Sequence, residues 1–187
     1  MAPTKTLTWP LALAYAALSV VSFHLAFAMG WSAFILLFLF GLVGLTTLSS
    51  TRKAFYFGLV IGLLIYSPHL SFFWEIFGWM AAALWLVLAF WLGVFLALAR
   101  SVRLRFGALG LVLIPFLWTG IEYFRSELYY LKFSWLSVGY AFSNAFNLPD
   151  IASLGVYGIG FCAMLVVVAV HSWRSVRPFV LCLGLLV

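Results

Sequence analysis

From Thr6 to Thr51 the chain carries no charged side chain at all, a run of 46 residues. Water-facing surface without charge is hard to build, and few soluble folds would tolerate so long a stretch. A bilayer reverses the preference. Each charge placed at the centre of a membrane helix costs roughly 2.5–3.5 kcal/mol on insertion scales. About 20 mostly apolar residues cross the hydrocarbon core. The run therefore fits two spans joined by a tight turn, which Met29, Gly30 and Trp31 suit. Only 7% of all residues are charged, against about 25% in an ordinary soluble domain, so the same logic extends to the rest of the chain.

Cutting at the charges predicts an all-α, polytopic transmembrane helix bundle and a single domain over residues 1–187. The predicted spans are about 9–28, 32–50, 54–74, 76–99, 106–124 and 151–171, with a seventh, cut short, at 178–187. Arg100, Arg103 and Arg105 mark one loop, and Arg174 with Arg177 another. A polar and aromatic loop covers 125–150. Span 1, with Lys5 ahead of it and Ala26-Phe27-Ala28 at its end, has the alternative reading of a signal peptide. Pro68, in Ser67-Pro68-His69, should kink or break its helix; the break is either a tolerated kink or a gap through which lipid enters.

Sorting the basic residues by side puts Lys5, Arg52, Lys53, Arg100, Arg103, Arg105, Arg174 and Arg177 together and leaves Arg125 and Lys132 opposite, 8 against 2. By the positive-inside rule the N-terminus is cytoplasmic and the 125–150 loop is outside. Glu75, Glu122, Glu127 and Asp150 all fall on the outer side. The net charge of +6 is spread in small groups between apolar runs, which suits anionic headgroups rather than a nucleic-acid groove.

Little in the chain suggests chemistry. Cys162 and Cys182 lie in apolar runs and read as small buried hydrophobes. No metal-ligand spacing, phosphate loop or nucleophile elbow occurs, so no cofactor, metal or catalytic residue is expected within these residues. His24 and His69, the ionisable groups nearest mid-membrane, read as satisfied polar side chains, which disfavours an ion-coupled transporter. Glu122 and Arg125 are three apart and can share a helical face where span 5 leaves the membrane. They form either a structural ion pair at the interface, or a headgroup-facing site or brace for the following loop. Phe133, Trp135 and Tyr140 belong to an aromatic belt at headgroup depth, and Gly139, Gly155, Gly158 and Gly160 would let backbones approach closely.

The order Pro115, Trp118, Glu122, Arg125, then Phe133, Trp135, Gly139-Tyr140, then Ala152 and Gly155-Val156-Tyr157-Gly158, resembles the membrane part of apolipoprotein N-acyltransferases. Trp74 resembles a tryptophan at the same place in that family. The likeness covers about 50–187 and is densest over 115–160, whereas the first two spans match in hydrophobicity alone. Ser134 and Ser126 stand where the family often has proline and glycine.

The resemblance implies a bacterial inner-membrane helix bundle followed by an extracytoplasmic nitrilase-like domain. That domain takes an acyl chain from a membrane phospholipid onto its cysteine and passes it to the amino group of a lipidated apolipoprotein. It carries the family's catalytic Glu, Lys and Cys, and it is not among these residues. The chain is therefore expected to be a fragment, or a shortened relative that needs a partner. Trp74, Glu122, Arg125, Phe133, Trp135 and Tyr140 become the candidates for binding lipid or positioning the loop. The competing reading is a non-enzymatic membrane protein, either a lipid-binding scaffold or a small transporter subunit.

Overall fold

A computed structural model describes the backbone of residues 7–143 and 153–184, with side chains as far as 172. Its regular structure is helical, with no strand among the described residues. Helix α1 covers Trp9–Ala28, α2 Phe34–Leu45, α3 Thr51–His69, α4 Phe72–Phe77, α5 Met80–Phe106, α6 Ala108–Tyr123 and α7 Gly155–Gly184. Among the described residues, four segments are long and apolar enough to cross a membrane: α1, α5, α6 with the turn that extends it to Leu128, and the Gly155–Ser172 part of α7.

The turn between α1 and α2 falls where the sequence suggested, and Gly30 adopts a φ of +71° that a β-carbon would disfavour. Helix α2 is shorter than its predicted span because the chain turns at Thr46 and Thr47. Their hydroxyls donate to the Val43 and Gly44 carbonyls at 2.6 and 2.7 Å, satisfying acceptors that the ended helix leaves over. Ser50 then caps α3 by accepting the Lys53 amide at 3.2 Å.

Helix α3 stops at His69, five residues before its predicted end, and Trp74 and Glu75 lie instead on the separate short helix α4. Pro68 sits in the last turn of α3, where its missing N–H and ring favour an end. The Ser67 hydroxyl donates to the Leu63 carbonyl at 2.7 Å nearby.

Two predicted loops are helical. Arg100, Arg103 and Arg105 occupy the last turns of α5, and Gly107, at φ +56°, is the one residue between α5 and α6. Helix α7 continues through Arg174, Arg177 and Pro178. The reason is length. At 1.5 Å per residue, 27 or 30 residues span about 40–45 Å, more than a hydrocarbon core of about 30 Å. Charge marks the membrane edge in such a helix, not the end of the helix.

The tightest seam joins α3 to α5, which run antiparallel. A β-carbon on Gly58 would lie 2.6 Å from the Leu92 carbonyl oxygen, and one on Gly62 would lie 2.5 Å from the Ala89 α-carbon. Small residues are what permit this approach where lipid offers helices no hydrophobic drive to associate. Helix α1 packs on α2 in a similar way: Gly41 leaves room for the Ser19 hydroxyl, which donates to the Tyr15 and Phe38 carbonyls at 3.0 and 3.2 Å. Cys162 corrects the sequence reading, because its side chain is exposed on the outward face of α7 while Ala163 and Met164 beside it face the core. An apolar run on a membrane helix faces lipid and protein alike, so hydrophobicity alone does not identify the buried side.

These packings put Arg52, Lys53, Arg100, Arg103 and Arg105 at one end of the bundle, where Arg103 donates to the Thr46 hydroxyl at 2.8 Å, and leave Arg125 and Lys132 at the other. The opposite end holds the α1–α2 turn, α4 and the segment that follows α6.

Candidate functional site

Helix α6 does not end in a simple cap. After Tyr123 the chain widens into a π-helical turn, Phe124–Leu128, closed by the Tyr129 amide donating to the Phe124 carbonyl at 2.7 Å. The wider turn carries Arg125 and Ser126 inward, so both are buried. Such insertions cost hydrogen-bond geometry and recur at functional positions.

Glu122 and Arg125 are 5% and 4% exposed. They direct their hydrogen bonds elsewhere rather than to each other. One carboxylate oxygen of Glu122 accepts the Val138 amide at 2.9 Å. The Arg125 guanidinium donates to the Ser137 hydroxyl at 3.2 Å and to the Tyr66 hydroxyl at 3.4 Å, and its central carbon lies 5.9 Å from the Tyr66 ring centre. Ser137 in turn donates to the Ser134 carbonyl at 3.0 Å, and the Arg125 carbonyl accepts the Phe133 amide at 3.2 Å. Residues 133–138 are thus tied to the end of α6 by both side chains and backbone, and to α3 through Tyr66.

The ties hold a strained segment. Lys132 and Leu136 adopt φ values of +43° and +58°, a conformation that costs a side-chain-bearing residue on the order of 1–2 kcal/mol. Several converging hydrogen bonds are needed to keep it there. Gly139 packs directly against the Val156 carbonyl, and a β-carbon on Gly160 would come within 3.0 Å of the second Glu122 oxygen. Gly155 and Gly158 make no close approach to another element.

That second Glu122 oxygen has no hydrogen-bond partner, and neither do the buried indole nitrogens of Trp91 and Trp118. All three residues line one cavity beside Tyr66 and Arg125. It has about 20 Å³ for the centre of a water-sized molecule, which is room for roughly one water.

The aromatic candidates separate. Phe133 and Trp135 join Phe73 of α4, with ring centres 5.6–5.9 Å apart, and Phe72 lies 5.5 Å from Trp135. Trp74 points the other way, stacked on Trp85 at 6.2 Å and half exposed. Trp135 and Tyr140 meet across an open groove of about 480 Å³ whose other walls are Phe27, Phe72, Leu136, Ser134 and His69. Of the six candidates, then, Glu122 and Arg125 brace the loop from inside, Trp135 and Tyr140 face the groove, Phe133 supports Trp135, and Trp74 stands apart.

Two participants and one pairing escaped the sequence reading. Tyr66 and Ser137 are ordinary residues until the fold brings them to Arg125. His24 and His69 are 45 residues apart, yet Nδ1 of one lies 3.1 Å from Nε2 of the other. Among the described residues, no three metal-ligating side chains stand together.

A family model described as the apolipoprotein N-acyltransferase N-terminal domain matches residues 6–169. The match therefore includes α1 and α2, which by motif alone did not resemble the family. A curated relative, the apolipoprotein N-acyltransferase of Geobacter metallireducens, is 32% identical over an alignment 140 positions long, which covers 68% of this chain and 26% of the relative. The chain thus spans about a quarter of that relative's length. With its apolar helices, this is the bundle of a membrane protein.

Proposed function

The chain belongs to the family of apolipoprotein N-acyltransferase N-terminal domains, and from that membership we propose that it is the part of such an enzyme that holds its lipid substrates in the membrane. The observation that carries this reading is the open groove of about 480 Å³ between Trp135, Tyr140 and the ends of α1 and α3. Its apolar walls suit an acyl chain, and its aromatic rim suits the depth of the headgroups. Arg52, Lys53, Arg100, Arg103 and Arg105 lie at the far end of the bundle, against Arg125 and Lys132 on the groove side. By the positive-inside rule that end is cytoplasmic and the groove opens on the outer face of the inner membrane.

The division of labour follows. Arg125 and Glu122 hold residues 133–138 in place. The held segment presents Trp135, and the turn that follows it Tyr140, to a phospholipid donor and a lipidated apolipoprotein acceptor. Acyl transfer itself belongs to the nitrilase-like domain, supplied in cis or by a partner, and no residue of this chain is assigned to bond making.

The test is a chimera in which residues 6–169 replace the matching segment of the Geobacter relative, expressed in cells depleted of their own N-acyltransferase. Mass spectrometry of lipoprotein N-terminal peptides should find them N-acylated, with Trp135→Ala lowering the yield several-fold. A folded, membrane-inserted chimera that leaves the N-termini free would sink the proposal and favour a non-enzymatic lipid-binding role.

A further inference from the structure

An acyl chain that moves from the bilayer into an apolar groove exchanges one hydrocarbon surrounding for another. It gains packing but no hydrophobic free energy. Selection among lipids therefore has to come from polar groups at the groove. Four residues supply them: Ser134, Trp135, His69 and Tyr140. Each can donate a hydrogen bond, and among the described residues no carboxylate lines the groove. A lining of donors without a built-in anion calls for an acceptor-rich ligand.

His69 is also the polar group best held in place. The ring centres of His24 and His69 are 5.0 Å apart with planes 22° from parallel. Combined with the 3.1 Å nitrogen separation, this sets the rings edge to edge, joined by one N–H···N bond. Edge contacts from Phe23 and Phe27, at 5.5 and 6.0 Å, fix the His69 ring on its other sides. One of the two facing nitrogens must carry a proton and the other a lone pair. While the bond lasts, the pair can hold a single positive charge but not two. Each ring keeps one further nitrogen. On His69 that nitrogen is Nδ1, and His69 is the member of the pair that lines the groove.

We propose that the His24–His69 pair is the headgroup subsite of this groove, with His69 Nδ1 donating to the phosphodiester of a phospholipid whose acyl chain lies along Phe27, Phe72 and Trp135. The phosphodiester anion favours the singly charged pair, and a charge-assisted bond of this kind is stronger than a neutral one. His24 acts through His69, as a positioning residue that orients the ring. The proposal rests on the groove being a lipid site, as argued above, and adds which chemical group it selects.

The experiment is competitive binding of a short-chain phosphatidylglycerol and the matching diacylglycerol to the purified chain in detergent, resolved by native mass spectrometry. Wild type should prefer the phospholipid by roughly tenfold. His69→Leu should bring the preference close to one while diacylglycerol still binds. His69→Asn, which keeps a donor near the Nδ1 position, should retain most of the preference. His24→Leu, which leaves the groove lining untouched, should lower it several-fold.

Undiminished preference in His69→Leu, or in His24→Leu should the first variant fail to fold, overturns the proposal. Displacement of the phospholipid by an equal concentration of inorganic phosphate also overturns it, because the site would then serve free phosphate. Equal binding of the two lipids by wild type removes the histidine subsite but leaves the groove reading standing. Binding of neither lipid removes both.

Discussion

The α3–α5 seam and the end of α6 are both places where the chain comes unusually close to itself, and they achieve it by opposite means. The seam is built from small residues, Gly58, Gly62, Ala89 and Gly93, which bring the two backbones close together. The end of α6 buries a carboxylate and a guanidinium, inserts a π turn and holds two residues in left-handed conformations. The first device uses little beyond shape and serves any bundle in lipid. The second combines desolvated charge with backbone strain, a combination that concentrates at functional positions in membrane proteins. The contrast separates what holds the bundle together from what presents the groove.

The comparison breaks most visibly at the seam. Gly62→Leu would force a side chain into the Ala89 backbone, and overpacking of this kind costs about 3 kcal/mol or more. The expected outcome is a large fall in thermal unfolding temperature in detergent, with every element affected together. A variant that unfolds like wild type would show that the seam is looser than its glycines imply.

Arg125→Leu comes next. It removes the hydrogen bonds to Ser137 and Tyr66, each worth about 1.5–3 kcal/mol when one partner is charged. The loss should be local. Amide exchange should speed up over residues 129–143 while α3 and α5 keep their protection. Uniform loss across the bundle would mean that the brace is structural throughout.

Glu122→Gln keeps one oxygen to accept the Val138 amide and should cost about 1 kcal/mol, read as faster exchange at that amide with little change in unfolding temperature. Ser137→Ala should be the mildest. At 3.2 Å its bond to Arg125 is long for a charge-assisted one, and Arg125 keeps Tyr66 and its backbone tie to Phe133, so the change should fall short of the full value of such a bond, at about 1 kcal/mol or less. If Ser137→Ala proved worse than Glu122→Gln, the ordering of the brace would be reversed, with the hydroxyl rather than the carboxylate as its centre.

Much of the bundle was legible before any coordinates. The charge-free run, the turn at Gly30 and the apolar stretches around α1, α5 and α6 follow from exclusion of charge by hydrocarbon. Legibility fails at the edges. Arg100, Arg103 and Arg105 look like a loop because charge and helix end usually coincide, yet α5 is long enough to carry them past the membrane. The π turn at Phe124 has no compositional signature. Cys162 was expected inside, but an apolar run gives the face of a lipid-exposed helix no polar side to betray it.

For the site, Glu122, Arg125, Trp135 and Tyr140 stood out because of residue type and position. What each one touches did not. Phe133, Trp135 and Tyr140 were expected together at headgroup depth. Tyr140 stands across the groove, whereas Phe133 and Trp135 do meet, and their partners are Phe72 and Phe73 of α4, which the sequence placed inside the 54–74 span. Trp74 shares α4 with them yet turns away toward Trp85, because neighbours on a short helix point to different sides.

By itself, then, the sequence determined that this chain is a bundle of apolar helices with charge confined to its ends, since the cost of a charge in hydrocarbon is local and can be read residue by residue. Tertiary structure alone decided that Arg125 meets Tyr66 across 59 residues and that His24 meets His69 across 45. Those pairings depend on how helices rotate and cross, and that is set by the sum of many small packing contacts rather than by any one residue's preference.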